Sequence, residues 1–201
     1  MIENAAKFAG FPVGPLALVD EVTLELPWKI VKEAEAALGS KYVRPSAYEV
    51  MRRMLEEFKR PGKRYGKGFY DYPPGGVPQG GSPQGGVKRL WSGLTQAFPP
   101  SAEQPPVDEL KQRFLYIQSL ETARCLEEGV VTHAADADVG SLLAWGFPSW
   151  TGGPLSLIDT VGLPKFIAEC KRMAERYGAR FAPSAWLSER AGRGEAFYPS
   201  G

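Results

Sequence analysis

One short stretch is written twice in this chain, and this repetition constrains the fold more than any other feature. Gly10-Phe11-Pro12 is followed by Gly14-Pro15-Leu16, and the stretch ends at Asp20. The same order returns in the second half as Gly146-Phe147-Pro148, then Gly153-Pro154-Leu155, then Asp159. Two further matches follow in the same order: Pro45-Ser46 with Pro183-Ser184, and Phe69-Tyr70 with Phe197-Tyr198. A two-copy repeat of this length indicates a domain duplication rather than a solenoid.

Both copies carry apolar residues at helical spacing, which predicts helices throughout. In the first copy Pro15 suits the first position of a helix, Thr23 is the expected N-cap of the next, and Ser46 with Glu49 is typical of a capping box. In the second copy a long helix is expected to begin near residues 107–109, and Thr132 to cap a short one. The sequence thus predicts an all-α fold of two tandem copies of one helical domain.

The domain bounds follow from the repeat. We expect a first helical unit at 1–72, a proline- and glycine-rich connector at 73–105, and a second helical unit at 106–201. In the second copy residues 107–145 precede the Gly-Phe-Pro turn, whereas only residues 1–9 precede it in the first. The first copy is therefore expected to lack its N-terminal long helix and to expose an apolar groove there, a kind of surface that favours association.

Composition excludes several classes of protein. A formal net charge of +1 argues against a dedicated nucleic-acid binder, which needs a basic surface. There is no apolar run long enough for a membrane span, and the first residues lack the features of a signal peptide, so a soluble, cytoplasmic chain is expected. Cys125 and Cys170 are compatible with two reduced thiols or with one disulfide.

Candidate catalytic groups are few. His133, followed by Asp136 and Asp138, is compatible with a general base paired with a carboxylate, or with a solvated neighbour of a helix cap. The two aspartates suggest either a cation site or acids placed by the helix dipole. No catalytic residue, no cofactor-binding residue and no metal site is predicted in the chain. Asp20 and Asp159, which recur identically, are expected to bond backbone amides of a neighbouring turn.

A basic loop at 59–67 precedes Phe69 and Tyr70. Five cations interleaved with glycines are compatible with contacts to the phosphates of an anionic ligand such as CoA. They are equally compatible with a turn whose aromatic residues pack back onto the helices. The second copy keeps Phe197-Tyr198 without the basic cluster, which favours the packing interpretation.

Several of these motifs carry a family resemblance. The stretches at 9–16, 64–72 and 121–129, together with the second Gly-Phe-Pro turn and Gly152-Gly153-Pro154, resemble the C-terminal region of 3-hydroxyacyl-CoA dehydrogenases. The duplicated form is similar to the multifunctional enzymes of fatty-acid β-oxidation, in which a hydratase/isomerase part, a Rossmann part and two such helical units share one polypeptide. The resemblance spans both halves and leaves out the connector.

The resemblance implies an activity that this chain does not complete. Family members oxidise the 3-hydroxyl of acyl-CoA with NAD, and their His–Glu pair and NAD site lie in the Rossmann part, so no cofactor is expected on this chain. Leu143 stands where the family has an aromatic residue near the substrate, which implies an apolar lining role. The implied partners are the Rossmann and hydratase parts of the parent polypeptide, the acyl-CoA substrate, and a second copy or a thiolase subunit.

Two functions from different classes follow. The first is the substrate-cleft and subunit-contact part of an NAD-dependent 3-hydroxyacyl-CoA dehydrogenase, inactive without its Rossmann part. The second is a stand-alone helical dimerisation module that binds no acyl-CoA. Whether the chain counts as an enzyme therefore depends on the rest of the polypeptide.

Overall fold

The computed structural model describes residues 1–73 and 87–198, and these residues are mostly helical, which confirms the predicted all-α class. The first half holds α1 Ile2–Ala9, α2 Pro15–Val22, α3 Glu25–Leu38 and α4 Tyr48–Arg52, which continues as a π-helical turn, Arg53–Glu57. Two short strands, β1 Tyr70–Asp71 and β2 Arg89–Leu90, pair antiparallel. The remaining helices are α5 Leu94–Ala97, α6 Val107–Glu127, α7 Ala134–Ala144, α8 Pro154–Val161, α9 Leu163–Tyr177 and α10 Ala185–Gly192. Residues 74–86 of the predicted connector and residues 199–201 lie outside the described part.

The chain forms two compact units whose bounds differ from those of the repeat. The larger unit combines Met1–Gly14 with Pro105–Gly201, and the smaller unit is Pro15–Gln104. Helix α1, which begins the first sequence copy, thus belongs to the same compact body as the second copy. The units predicted at 1–72 and 106–201 follow the repetition of the sequence, whereas the compact units follow packing.

The larger unit is built around the long helix α6. Helices α1 and α8 both pack against it, and α9 contacts it through the rings of Tyr116 and Phe166, whose centroids are 4.6 Å apart and whose planes are tilted by 44°. On α1 the buried side facing this core is made of small residues, and alanines let two helix backbones approach closely. Those alanines are Ala5, Ala6 and Ala9.

The two Gly-Phe-Pro turns pack against each other inside the larger unit. A β-carbon built on Gly10 would lie 2.9 Å from Cβ of Pro148, and one built on Gly146 would lie 3.0 Å from Cγ of Pro12. Phe11 and Phe147 meet edge to face, with ring centroids 5.9 Å apart. Each glycine of the motif therefore faces the other copy's proline, and the contact is reciprocal.

The smaller unit has a smaller core. Its buried apolar residues are Leu24, Met51, Met54 and Phe69, joined by half-buried aromatic side chains that include Trp28, Phe58 and Trp91. Phe58 packs against Trp91 with ring centroids 5.0 Å apart, so the segment around β2 contacts the end of the π-helical turn. This core fixes the position of the loop that carries Phe69 and Tyr70.

Three predicted helix caps are wrong. The N-cap of α3 is Leu24, and Thr23 instead bends the chain with φ of 64°. Helix α4 begins two residues after Ser46, with Ala47 as N-cap, and α7 is preceded by His133 rather than by Thr132. The cap at Ser184 is present, because its hydroxyl accepts the N–H of Leu187 at the start of α10. Local cap signals compete with turn geometry imposed by packing, which explains the one-residue shifts.

Candidate functional site

Asp20 is fully buried at the end of α2 and joins that helix to the loop before β1. Its two carboxylate oxygens accept the N–H groups of Phe69 and Tyr70, at 2.8 and 2.9 Å, and the hydroxyl of Tyr72 donates to Oδ2 at 2.9 Å. Burial raises the pKa of Asp20, while these hydrogen bonds and the charge of Arg60 act in the opposite direction. Both oxygens of the carboxylate are thus engaged in holding the loop.

Gly68 is required beside this carboxylate. A β-carbon at position 68 would overlap the Asp20 side chain, so only glycine lets the loop approach. The carbonyl of Gly68 also accepts a hydrogen bond from Arg60 Nε at 2.7 Å, and the same guanidinium pairs with Asp71 at 2.5 Å. The buried arginine of the basic loop therefore stabilises the loop itself.

The other basic residues of this loop fall into two groups, one that forms an ion pair within the fold and one that is exposed to solvent. Lys63 forms an ion pair with Glu21 of α2 at 2.6 Å, whereas Lys59, Arg64 and Lys67 are exposed. Phe69 is buried in the core of the smaller unit, which agrees with the packing interpretation of this segment. Contact between these exposed cations and phosphates stays a prediction.

Asp159 makes the same contact in the second copy. Its carboxylate accepts the N–H groups of Phe197 and Tyr198, at 3.1 and 2.8 Å. The predicted role of these two aspartates in bonding backbone amides is therefore what the structure shows. The amides belong to the Phe-Tyr dipeptide some 49 or 38 positions away in sequence rather than to an adjacent turn.

Asp138 anchors α8, a role that differs from the sequence-based interpretations of it as a partner of His133, a cation ligand or an acid placed by the dipole of its own helix. It is buried and accepts the N–H groups of Leu155 and Ser156 at 2.7 and 3.0 Å, together with the Ser156 hydroxyl at 2.7 Å. A carboxylate at a helix N-terminus is favoured by the helix dipole. Tyr198 also donates to it at 2.9 Å, and burial with this hydrogen bond raises the pKa of Tyr198 to about 12.

A signal for this anchor was present in the sequence. A β-carbon on Gly153, just before α8, would overlap the side chain of Asp138. A β-carbon on Gly14, just before α2, would overlap the side chain of Glu3 in the same way. An acid on the preceding helix therefore faces a glycine in each copy. The two glycines occupy matching positions of the repeat and indicate where the chain approaches an acid closely. The acids themselves stand at positions of α1 and α7 that do not match, so comparison of the two copies does not reveal them.

His133 is exposed to solvent. Its side chain is 75% exposed, with Nδ1 at 3.5 Å from Asp136 Oδ2 and 3.0 Å from the Thr132 hydroxyl. A solvated pair of this kind differs from the desolvated acid–base pairs of active sites. Among residues 1–73 and 87–198, no group of three or more histidine, cysteine or acidic side chains could hold a metal ion.

Leu143, the position implied to contact substrate, is 82% exposed on α7. Trp145 and Trp150 are also exposed nearby in sequence, and the Trp150 indole N–H donates to the carbonyl of Ala9 at 2.8 Å.

Within the part of the chain that the structure describes, no helix is long and apolar enough to cross a membrane.

A protein-family model matches the first part of the chain. Residues 1–72 match the model of the 3-hydroxyacyl-CoA dehydrogenase C-terminal domain. The dehydrogenase domain match covers α1 to α4 and the Asp20 loop, so the Gly-Phe-Pro turn and the Phe-Tyr contact described above fall inside it.

Curated relatives extend the similarity along nearly the whole chain. The fatty acid oxidation complex subunit alpha of Vibrio cholerae is 37% identical over 94% of this chain, and that of Shewanella amazonensis is 35% identical over 98%. The chain spans about a quarter of the length of these relatives. It is therefore similar to one part of a much longer subunit.

A solved structure shares the fold. The 3-hydroxybutyryl-CoA dehydrogenase of Escherichia coli K12 aligns with 96% of this chain and 54% of its own, with a TM-score of 0.60 and 17% identity. At that identity the likeness shows the fold alone.

The strands and helices of the described residues do not form a Rossmann dinucleotide site. A Rossmann site needs a glycine-rich turn between a strand of a parallel sheet and a helix. The only strands in the described residues are the two-residue pair β1 and β2, which is antiparallel.

Proposed function

We propose that this chain is the helical C-terminal part of an NAD-dependent 3-hydroxyacyl-CoA dehydrogenase of fatty-acid β-oxidation, acting in the cytoplasm. It shapes the substrate cleft and subunit contacts and is inactive without a Rossmann part. The supporting observation is the use of its buried carboxylates. Asp20 and Asp138 are both engaged by backbone N–H groups at hydrogen-bond distance, so neither is available to take a proton from substrate.

An assay with acetoacetyl-CoA and NADH tests this division of labour. The 201-residue chain should give no turnover, whereas a protein of the relatives' full length should oxidise NADH. Removing the residues of this chain from the longer protein should abolish or strongly reduce that activity. Turnover by the isolated chain would overturn the proposal.

Leu143 is proposed to line the acyl-CoA site of the longer protein. Its high exposure leaves the side chain available to a substrate held by another part of the polypeptide. In the longer enzyme Leu143→Ala should raise KM for acetoacetyl-CoA with little change in kcat, because an apolar lining residue contributes to binding in the ground and transition states alike. Val130→Ala, at another exposed apolar position, is the matched control; equal effects of the two would count against a role for Leu143.

The second candidate is a stand-alone dimerisation module, and exposed apolar side chains on α2 and α3 favour it. Calorimetry with acetoacetyl-CoA and sedimentation of the 201-residue chain separate the two. If the 201-residue chain sediments as a stable dimer and calorimetry detects no binding of acetoacetyl-CoA, the dimerisation module is supported. Hydratase and Rossmann parts encoded directly upstream would support the dehydrogenase and bring in the partners that the resemblance implies, a second copy or a thiolase subunit.

A further inference from the structure

Three arginines lie close together around Tyr177 at the end of α9. The guanidinium carbon of Arg113, on α6, is 4.0 Å from the centre of the Tyr177 ring, and that of Arg176 is 5.3 Å from the same centre. Arg172 lies one helical turn before Arg176 and therefore on the same side of α9. We call these three residues the arginine cluster. Like charges this close repel one another, so the cluster lowers stability unless anions neutralise it.

Glu109 of α6 is the acid that the cluster faces. Its carboxylate accepts the hydroxyl of Tyr177, and Oε2 lies 3.4 Å from Nη1 of Arg172 and of Arg176. Both ion pairs are long, because charge-assisted N–H···O bonds are usually about 2.7–2.9 Å. The Tyr177 hydrogen bond and the charges of the two arginines hold the pKa of Glu109 below its ordinary value, against the effect of burial. The cluster therefore already receives one ionised carboxylate.

The donors of the cluster are only partly used. Arg172 donates through Nε to Glu169 at 2.9 Å, besides its long contact with Glu109. Arg176 has a side chain that is 55% exposed, and Glu109 is the acid with which it pairs. Arg113 forms no ion pair with any acid among residues 1–73 and 87–198. Three guanidiniums thus share two carboxylates, and positive charge remains in excess.

The repeated fold does not require this cluster. Helix α3 is the counterpart of α9 in the first copy, and Gly39 and Gly178 end the two helices at matching positions. The positions of α3 that match the two arginines and the tyrosine of α9 are occupied by Glu33, Ala37 and Leu38. Helix α3 thus forms with neither the cations nor the aromatic ring. A local feature that opposes stability and that the fold can omit indicates a functional site.

We propose that the arginine cluster is a docking site for an extended, acidic segment of a partner polypeptide. Arg172 and Arg176 are separated by about 6 Å along the helix axis, from a rise of about 1.5 Å per residue. In an extended chain, side chains on one face recur every two residues, about 6.8 Å apart. Acids at alternate positions therefore match the two arginines, and Arg113 is available to a third. Arginine suits this role, because its planar fork binds a carboxylate through two parallel N–H groups.

A designed peptide serves as the probe of this site. A chain of alternating glutamate and serine, about twelve residues long, presents its acids at the strand spacing. The reference is a peptide of alternating glutamine and serine with the same length and the same fluorescein label. By fluorescence anisotropy at low salt, the 201-residue chain should bind the glutamate peptide about tenfold tighter than the reference. The difference should shrink at about 0.15 M salt, because exposed charge pairs are screened.

Two double substitutions locate the binding. Arg113→Gln with Arg176→Gln should weaken binding of the glutamate peptide by about tenfold, because each lost charge pair contributes a few-fold. Lys7→Gln with Lys165→Gln removes the same charge from two exposed positions and is the matched control, with a loss of about twofold or less. Far-ultraviolet circular dichroism checks that both variants fold. In thermal unfolding the glutamate peptide should raise the midpoint of the wild type and of the control, but not of the cluster variant.

Three outcomes would overturn the proposal. The first is equal affinity for the two peptides, and the second is an equal loss of affinity in the cluster variant and in the control. In the third, inorganic pyrophosphate displaces the labelled glutamate peptide at a lower concentration than the unlabelled peptide does, which would assign the cluster to a phosphate ligand.

Discussion

Gly10 lies against Pro148, so close that a β-carbon on Gly10 would stand 2.9 Å from the β-carbon of that proline. Gly10→Ala should therefore destabilise the chain in two ways, through the positive φ of 105° and through the clash, at a combined cost of about 2–4 kcal/mol in the free energy of unfolding. Urea denaturation followed by circular dichroism measures it.

The control for this substitution is Gly178→Ala. Gly178 has nearly the same φ, 101°, but a β-carbon there would meet nothing within 4 Å. It should cost only the backbone strain, about 1–2 kcal/mol. Equal losses at the two positions would mean that the contact between the two turns contributes nothing to stability.

Asp20→Asn should cost more than Asp159→Asn. Both carboxylates accept two backbone N–H groups, but Asp20 is fully buried and also accepts the Tyr72 hydroxyl. An asparagine places an N–H₂ group against one of the backbone donors and leaves it unpaired, at a cost of about 2–3 kcal/mol for a buried site and about 1 kcal/mol for a half-exposed one. Unfolding midpoints that rank the two variants in the opposite order would contradict the importance of burial here.

Thr23→Gly should stabilise the protein. Thr23 is a β-branched residue with φ of 64°, at the position where the second copy has Gly162. Relieving this strain should add about 1 kcal/mol to the free energy of unfolding, after the larger backbone entropy of glycine in the unfolded chain is counted. The reciprocal change, Gly162→Thr, should destabilise by a similar or larger amount, and chemical denaturation of both variants tests the pair.

Cys170 should make the protein less stable at alkaline pH. Burial raises the pKa of its thiol from the usual value near 9 to about 12, so the folded state keeps a proton that the unfolded state releases. Stability is therefore lost as pH rises from about 9 to 12. In Cys170→Ala the decline over this range should be shallower, whereas Cys125→Ala, at a half-buried position, should decline like the wild type. Thermal unfolding at a series of pH values distinguishes them.

The helical class and the role of Asp20 and Asp159 could be predicted because both depend on patterns within one stretch or on its repetition. Apolar spacing defines the helices, and an acid that recurs with no chemical partner indicates a structural hydrogen bond. The family resemblance rests on the same motifs. Predicting these features does not require knowing which segments, distant in sequence, pack together in the fold.

The compact units and the Asp138 anchor could not be predicted in the same way. That α1 packs with α6 depends on small alanines meeting a helix about a hundred positions later, and no local period encodes such a partner. The wrong cap at Thr23 has a similar origin. The chain there is held by the Leu24 N–H, which donates to the carbonyl of Pro61 at 2.7 Å, and this contact imposes the bend.

Because the two Gly-Phe-Pro turns contact each other reciprocally, the side chains that one turn can accommodate depend on those of the other. The space at Gly146 is limited by Pro12, and the space at Gly10 by Pro148 together with the indole of Trp150, so a substitution in one turn alters what the other can accept. A bulkier side chain in either of these stretches, which lie 136 positions apart, is therefore expected to require a smaller side chain in the other.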